Sequence, residues 1–174
     1  MTVFLAGLEK YPFYEEIDNL LQKNYSNYKQ WNKDLRDYYF IKTLLSPKCL
    51  NFADKPKGIL PFHKYEDRIA TPVEEHLNES VFYASSNNTA FLHFTVSEEH
   101  QVVFEQIIEN VKSKIETQSD VKINVKFSYQ NKATDTIAVD LENKPFREVN
   151  GALVFRPGGH GALIDNLNHL DADI

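Results

Sequence analysis

Cysteine is nearly absent from this 174-residue chain: Cys49 stands alone. That excludes an internal disulfide and a zinc site built from thiolates, and it suits a reducing cytoplasm. Basic residues are in deficit, with 19 Lys and Arg against 25 Asp and Glu, for a formal net charge of −6. A general electrostatic grip on a nucleic-acid polymer is therefore not expected. A small anionic ligand held by a few local donors stays open. No apolar run approaches the roughly 20 residues that span a bilayer. The opening MTVFLAGLEKYPFYEE has no basic start and soon turns acidic, unlike a secretory signal. The expectation is a soluble, cytoplasmic protein with no membrane partner. Glycine is scarce as well, and three of the six glycines lie between residues 158 and 161.

What is present is core-forming material. Hydrophobic residues make up 42% and aromatics 13%, enough for a packed globule rather than a disordered chain. The length suits one domain.

The first fifty residues read as helical. YEEIDNLLQKNY carries acids early and Lys23 late, the order a helix dipole favours. YKQWNKDLRDYYFIKTLL puts Trp31, Leu35, Tyr38, Tyr39 and Leu45 on an expected amphipathic stripe that stops at Ser46-Pro47. Pro56, Gly58 and Pro61 make residues 51–70 a loop with a short apolar stretch. Thr71, Pro72 and Glu74 form a capping signature for a helix running to about Tyr83.

AFLHFTV, residues 90–96, is of strand length and composition. Ser97 then caps a helix with Val103, Ile107, Val111 and Ile115 as its expected buried face. VKINVKFSYQ, residues 121–130, alternates as a strand with one polar face. TIAVD (136–140) and ALVF (152–155) are shorter β segments, and GALIDNLNHL places Leu163, Leu167 and Leu170 on one helical face. No internal repeat is visible. The alternation from residue 71 onward predicts an α/β domain with its strands in one shared, largely parallel sheet.

Three segments have the composition of a ligand site. In Pro157-Gly158-Gly159-His160-Gly161, between a strand and a helix, bare backbone lets a ligand approach, and His160 can hydrogen-bond a phosphate, sugar or base. The same residues serve equally as a tight turn with positive φ angles. Lys57, stiffly held between Pro56 and Pro61, is placed to reach a phosphate or to sit solvated on a surface turn. Gln130 closes a strand, and ligands of open α/β sheets bind beyond such ends. Its amide can read a base edge with a donor and an acceptor, or simply cap the strand.

His63, His76, His93 and His100 show no metal-ligand spacing, and His93 alternates with apolar residues on a strand. Asp135, Asp140, Asp165, Asp171 and Asp173 are unpaired in sequence. No nucleophile elbow, HExxH helix or P-loop lysine signature occurs.

Taken in order, the three segments resemble a known set. KPKGILP (55–61) resembles the Pro-Lys-x-Leu-Leu-Pro element of sugar-phosphate nucleotidyltransferases. Phe127-Ser128-Tyr129-Gln130 and Pro157-Gly158-Gly159-His160-Gly161 resemble the strand end and glycine loop of the uridine-diphosphate-sugar pyrophosphorylase branch. The likeness to the pyrophosphorylases covers residues 51–174. Over the whole chain, KGILPFHKY, LHFTVSEEH and the run from Asp135 to Ile174 resemble a bacterial family known only as a domain of unknown function.

The resemblance implies a three-layer, Rossmann-like nucleotidyltransferase fold with a mostly parallel sheet, incomplete here. Residues 1–50 would be a helical flank of the domain, and 51–174 its partial α/β core. It implies a nucleoside triphosphate and a sugar phosphate as ligands, with Mg²⁺ neutralising charge. Lys57 would contact phosphates catalytically, Gln130 would read the base, and Gly158, Gly159, His160 and Gly161 would lie along the nucleoside. The reaction would be nucleotidyl transfer to a sugar 1-phosphate; the alternative is a non-catalytic nucleotide or nucleotide-sugar binder on the same fold.

Two departures bear on catalysis. The family's Gly-x-Gly-x-Arg loop has no counterpart, since Phe4-Leu5-Ala6-Gly7-Leu8-Glu9-Lys10 has one glycine, no arginine and a helical pattern. The metal-binding aspartate would fall beyond Ile174. A chain that is an internal piece of a longer protein is then expected, inactive alone, with exposed sheet edges that favour self-association.

Overall fold

A computed structural model describes residues 2–172. The chain divides into two compact units: Met1–Glu79 with Val102–Gln118, and Ser80–Gln101 with Ser119–Ile174.

The first unit begins with helices α1 (Thr2–Ala6), α2 (Tyr14–Asn24) and α3 (Lys33–Leu45). α2 has Glu15 and Glu16 in its first turn and Lys23 in its last, as the dipole favours. α3 starts later than the sequence pattern suggests. Tyr28–Gln30 forms a separate 3-10 turn, and Asn32 caps α3 by accepting a hydrogen bond from the Leu35 N–H at 2.9 Å.

The expected α3 stripe is therefore corrected. Phe40, Thr43 and Leu44 are buried, whereas Leu35, Tyr38 and Leu45 are exposed. At about 100° per residue, Leu35, Tyr38 and Leu45 are separated from Phe40 by roughly 140–160° around the helix. Trp31, ahead of the helix, and Tyr39 instead pack on the rim of a cluster whose buried centre includes Phe13, Ile17, Leu21, Phe40 and Leu44.

One polar contact is built into this cluster. The buried Tyr28 hydroxyl donates to Asp18 Oδ1 at 2.9 Å, and Gln22 Nε2 donates to Oδ2 of the same carboxylate. Burial, that hydrogen bond and the Asp18 charge together push the Tyr28 phenol well above its ordinary value of 10.0. A folded-state pKa raised above the unfolded one gives stability that is complete below the unfolded value and is lost as pH rises through the folded one. Wild type should thus lose stability steeply on the alkaline side of 10.0, and Tyr28→Phe should flatten that slope. Urea midpoints followed into alkaline pH check this.

The loop after α3 contains a 3-10 turn, Lys57–Ile59, and a small antiparallel hairpin of β1 (His63–Lys64) and β2 (Ile69–Ala70). α4 (Pro72–Tyr83) starts on a reciprocal capping box. The Thr71 N–H donates to Glu74 Oε2 at 2.5 Å and the Glu74 N–H donates to Thr71 Oγ1 at 3.3 Å. Thr71→Ala should cost about 1 kcal/mol, read as a lowered thermal or chemical unfolding midpoint.

In the second unit, β3 (Ser85–Ser86) pairs antiparallel with β4 (Thr89–Val96), which pairs in parallel with β5 (Lys122–Tyr129). Parallel neighbours need a crossover; the chain between β4 and β5 forms α5 (Gln101–Ser119), of which Val102–Gln118 belongs to the first unit. The buried face of α5 is Phe104, Ile108 and Ile115, with Val111 half-buried and Val103 exposed. The expected set 103-107-111-115 drifts about 40° at each four-residue step, whereas 104-108-111-115 stays within about 60°. The tighter stripe is the buried one.

The later β segments do not extend the parallel sheet, which corrects the expectation of one shared sheet. β6 (Thr136–Ile137) pairs antiparallel with β7 (Phe155–Arg156), with bridges Val139–Pro145 and Arg147–Leu153. Three segments close a ring of backbone hydrogen bonds: Ala138 N–H to the Val154 carbonyl (2.9 Å), Val154 N–H to Phe146 (3.0 Å), and Phe146 N–H to Ala138 (2.8 Å). The turns between them match. The Asn143 N–H donates to the Asp140 carbonyl and the Gly151 N–H to Glu148, with left-handed φ of 62° at Asn143 and 84° at Gly151. This is a backbone repeat hidden from side-chain patterning. The protein is thus a mixed α/β chain whose described strands form small sheets.

Candidate functional site

In the second unit β4 and β5 run side by side, with Ala90, Leu92, Phe94 and Val96 opposite Ile123, Val125, Phe127 and Tyr129. Side chains alternate between faces, so this register collects His93 and Thr95 opposite Lys126 and Ser128 on the other face. Ser128 is the node there. His93 Nε2 lies 2.8 Å and Thr95 Oγ1 3.1 Å from its hydroxyl, and Asn166 Nδ2 donates to it at 2.9 Å. Asn166 Nδ2 also donates to the Tyr129 carbonyl at 2.9 Å.

A serine 2.8 Å from a histidine has the spacing of a nucleophile and its base. A hydroxyl, however, offers one donor and two acceptor positions, and three partners occupy them all. Ser128 therefore holds structure together. Its amide partner fastens the segment after the glycine loop to the carboxyl end of β5.

Gln130 lies just beyond that strand end. The Thr134 hydroxyl donates its one proton to the Asn131 carbonyl at 2.6 Å, so toward Gln130 it can only accept. The Gln130 amide nitrogen must then be the atom facing it, and Nε2 donates to Thr134 Oγ1 at 3.1 Å. That leaves the Gln130 carbonyl oxygen and one N–H without partners among the described residues.

The glycine loop approaches the same place. A Cβ on Gly158 would lie 2.7 Å from the Thr134 carbonyl oxygen, 3.0 Å from Ala162 Cβ and 3.6 Å from Gln130 Nε2. Backbone-to-backbone proximity therefore requires glycine at 158. Gly159 and Gly161 are different: a Cβ on either meets nothing within 4 Å among the described residues. Nor does positive φ require them, since Gly151 alone among the described glycines has one, which sets aside the tight-turn reading of this loop. His160 is exposed.

The segment that follows is shorter than expected. His160–Leu163 is a 3-10 turn and α6 spans only Ile164–Asn168, with Leu167 exposed. The expected face of Leu163, Leu167 and Leu170 is not formed, and a helix this short supplies no anion-binding terminus. Gln130 and Gly158 are thus brought together, with Gly159, His160 and Gly161 on the same loop. Ser128, Asn166, His93 and Thr95 join them on the strand-end face. The polar alternation of β5 marked its share of that cluster; the chain position of Asn166 gave no signal.

Lys57 belongs to the first unit. It is exposed, its ammonium has no hydrogen bond or ion pair among the described residues, and it opens the 3-10 turn after Pro56. Next to it, a Cβ on Gly58 would lie 2.9 Å and 3.0 Å from Phe104 Cε1 and Cζ. The segment 4–10 is helical, with α1 followed by a 3-10 turn at Leu8–Lys10, and Leu8 is buried. It has no phosphate-cradling loop geometry.

Among the described residues no group of three or more His, Cys, Asp or Glu is placed to hold a metal ion. The aspartate expected for Mg²⁺, and Asp173, lie outside the described residues.

Fold and site together define a mixed α/β protein with a polar, glycine-lined face at the carboxyl end of a parallel strand pair. The chain matches, over residues 1–174, a family described as a domain of unknown function, DUF4301, and it belongs to that family. No curated protein and no solved structure matches it. No helix among the described residues is long and apolar enough to cross a membrane.

Proposed function

We propose that this face of the second unit binds the nucleoside part of a nucleotide or nucleotide sugar. The observation that carries the reading is the pairing of Gln130, with an acceptor and a donor left free, with a loop whose Gly159 and Gly161 are bare for no reason of backbone conformation or packing. A flat ring can lie against such backbone, while an amide that presents one donor and one acceptor reads a base edge. Thr134 fixes which atom of the amide points inward, and Asn166 fixes the loop's distance from the strand end. The resemblance to uridine-diphosphate-sugar pyrophosphorylases, with their Rossmann-like fold, favours uridine as the base.

Binding without turnover is the form of this reading that the residues support best. The transfer reaction has no supporting observation within this unit, since Lys57 belongs to the other one. Saturation-transfer NMR with uridine, cytidine, adenosine and guanosine triphosphates tests the reading. Wild type should favour one base, and Gln130→Leu should lower that affinity roughly tenfold, about one lost hydrogen-bonding pair, and level the preference. Equal signals for all four bases in both proteins would remove Gln130 as the reader.

A further inference from the structure

The first unit contains a cleft of about 270 Å³ that the proposed nucleotide face does not use. Its apolar side includes Leu5, Leu8 and Phe40, and Tyr14 stacks on Phe40 with ring centroids 5.7 Å apart. Lys33, Arg36, Glu9 and Asp37 supply its charges. Lys33 and Asp37 pair with each other. The Arg36 guanidinium, the Glu9 carboxylate and the Tyr14 hydroxyl have no hydrogen bond or ion pair among the described residues. Behind them Tyr28 is held by Asp18, so that wall is fixed.

We infer that this cleft binds a small zwitterion, specifically a free amino acid with an apolar side chain. Two cations and two anions line it, so a ligand with net charge meets as much repulsion as attraction. A ligand carrying both signs satisfies the two charges left over. The planar guanidinium of Arg36 matches a carboxylate with two parallel hydrogen bonds. Glu9 receives the ammonium, Tyr14 adds a hydroxyl, and the side chain lies on Leu5, Leu8 and Phe40. The volume lies just below the roughly 300–1,000 Å³ range of ligand sites, which suits a ligand of this size.

The test is titration of the full chain with L-leucine and L-phenylalanine, followed by backbone amide shifts. Leucinamide and 4-methylpentanoate serve as probes that each lack one charge. The expected result is saturable shifts centred on residues 5–9, 14 and 33–40, with each one-charge probe roughly tenfold weaker or more. Arg36→Gln and Glu9→Gln should each weaken leucine binding by a similar factor. Both side chains are exposed and unpaired, so thermal melts of the variants should match wild type. Absence of saturable shifts with both amino acids would overturn the proposal. So would 4-methylpentanoate binding as tightly as leucine, or leucine affinity unchanged in both variants.

Discussion

Gly58→Ala is expected to lower stability by about 1–3 kcal/mol, the usual cost of forcing extra volume into a packed site. The added Cβ would lie 2.9 Å from Phe104 Cε1, 3.0 Å from Cζ and 3.6 Å from Val73 Cγ2. Phe104 is only 6% exposed, so its ring is no free end that can swing into solvent. Either the ring or the Lys57–Ile59 turn must move. Phe104→Leu in the Gly58→Ala background should recover part of the loss, although Phe104→Leu alone is destabilising because it leaves a cavity. Urea midpoints of the four proteins give that coupling directly. Additive losses would mean that the ring and the turn are not in contact. Because Gly58 adjoins Lys57, the same substitution should also displace the lysine from the place that its stiff loop gives it.

Gly158→Ala and Gly159→Ala are expected to behave in opposite ways. At 158 the new methyl meets a backbone oxygen at 2.7 Å, which no rotamer change relieves, so a loss of about 1–3 kcal/mol follows. At 159 nothing lies within 4 Å and φ is −73°. Alanine there should be neutral or stabilising by up to about 1 kcal/mol, because it reduces the freedom of the unfolded chain. A larger side chain, Gly159→Val, should leave the fold intact and still weaken nucleotide binding by occupying the space where a ring would lie. Thermal melts combined with nucleotide titrations separate these outcomes. Loss of stability in Gly159→Ala would show that position 159 is packed rather than open.

Local signals were the most legible in the sequence. The Thr71–Glu74 capping box and the start of α2 rest on contacts between residues close in the chain, and the strands at 89–96 and 122–129 show in their own composition and alternation. Whatever depended on rotation about a helix or on distant partners was harder to read. The stripe read for α3 counts Trp31, which precedes the Asn32 cap, and the one read for α5 follows a four-residue spacing that drifts about 40° at each step. Of the segments at 136–140 and 152–155 only Thr136–Ile137 and Phe155 are strand, and they pair with one another through backbone groups that side chains do not advertise.

The site followed the same division. Gln130 and the glycine loop stood out by composition, and Gly158 lies against the Gln130 amide. Periodicity cannot show that Asn166 joins Ser128 and the Tyr129 carbonyl. It also cannot distinguish Gly158, needed for packing, from Gly159 and Gly161, which are not.

The most direct measurement is an amide-shift titration of the 174-residue chain with uridine triphosphate, with Gly159→Val as the comparison. The account predicts saturable shifts at Gln130, Thr134 and residues 158–161, with the first unit's charged cleft unmoved, and loss of those shifts in the variant. Shifts confined to other residues, or none from a folded chain, would contradict it.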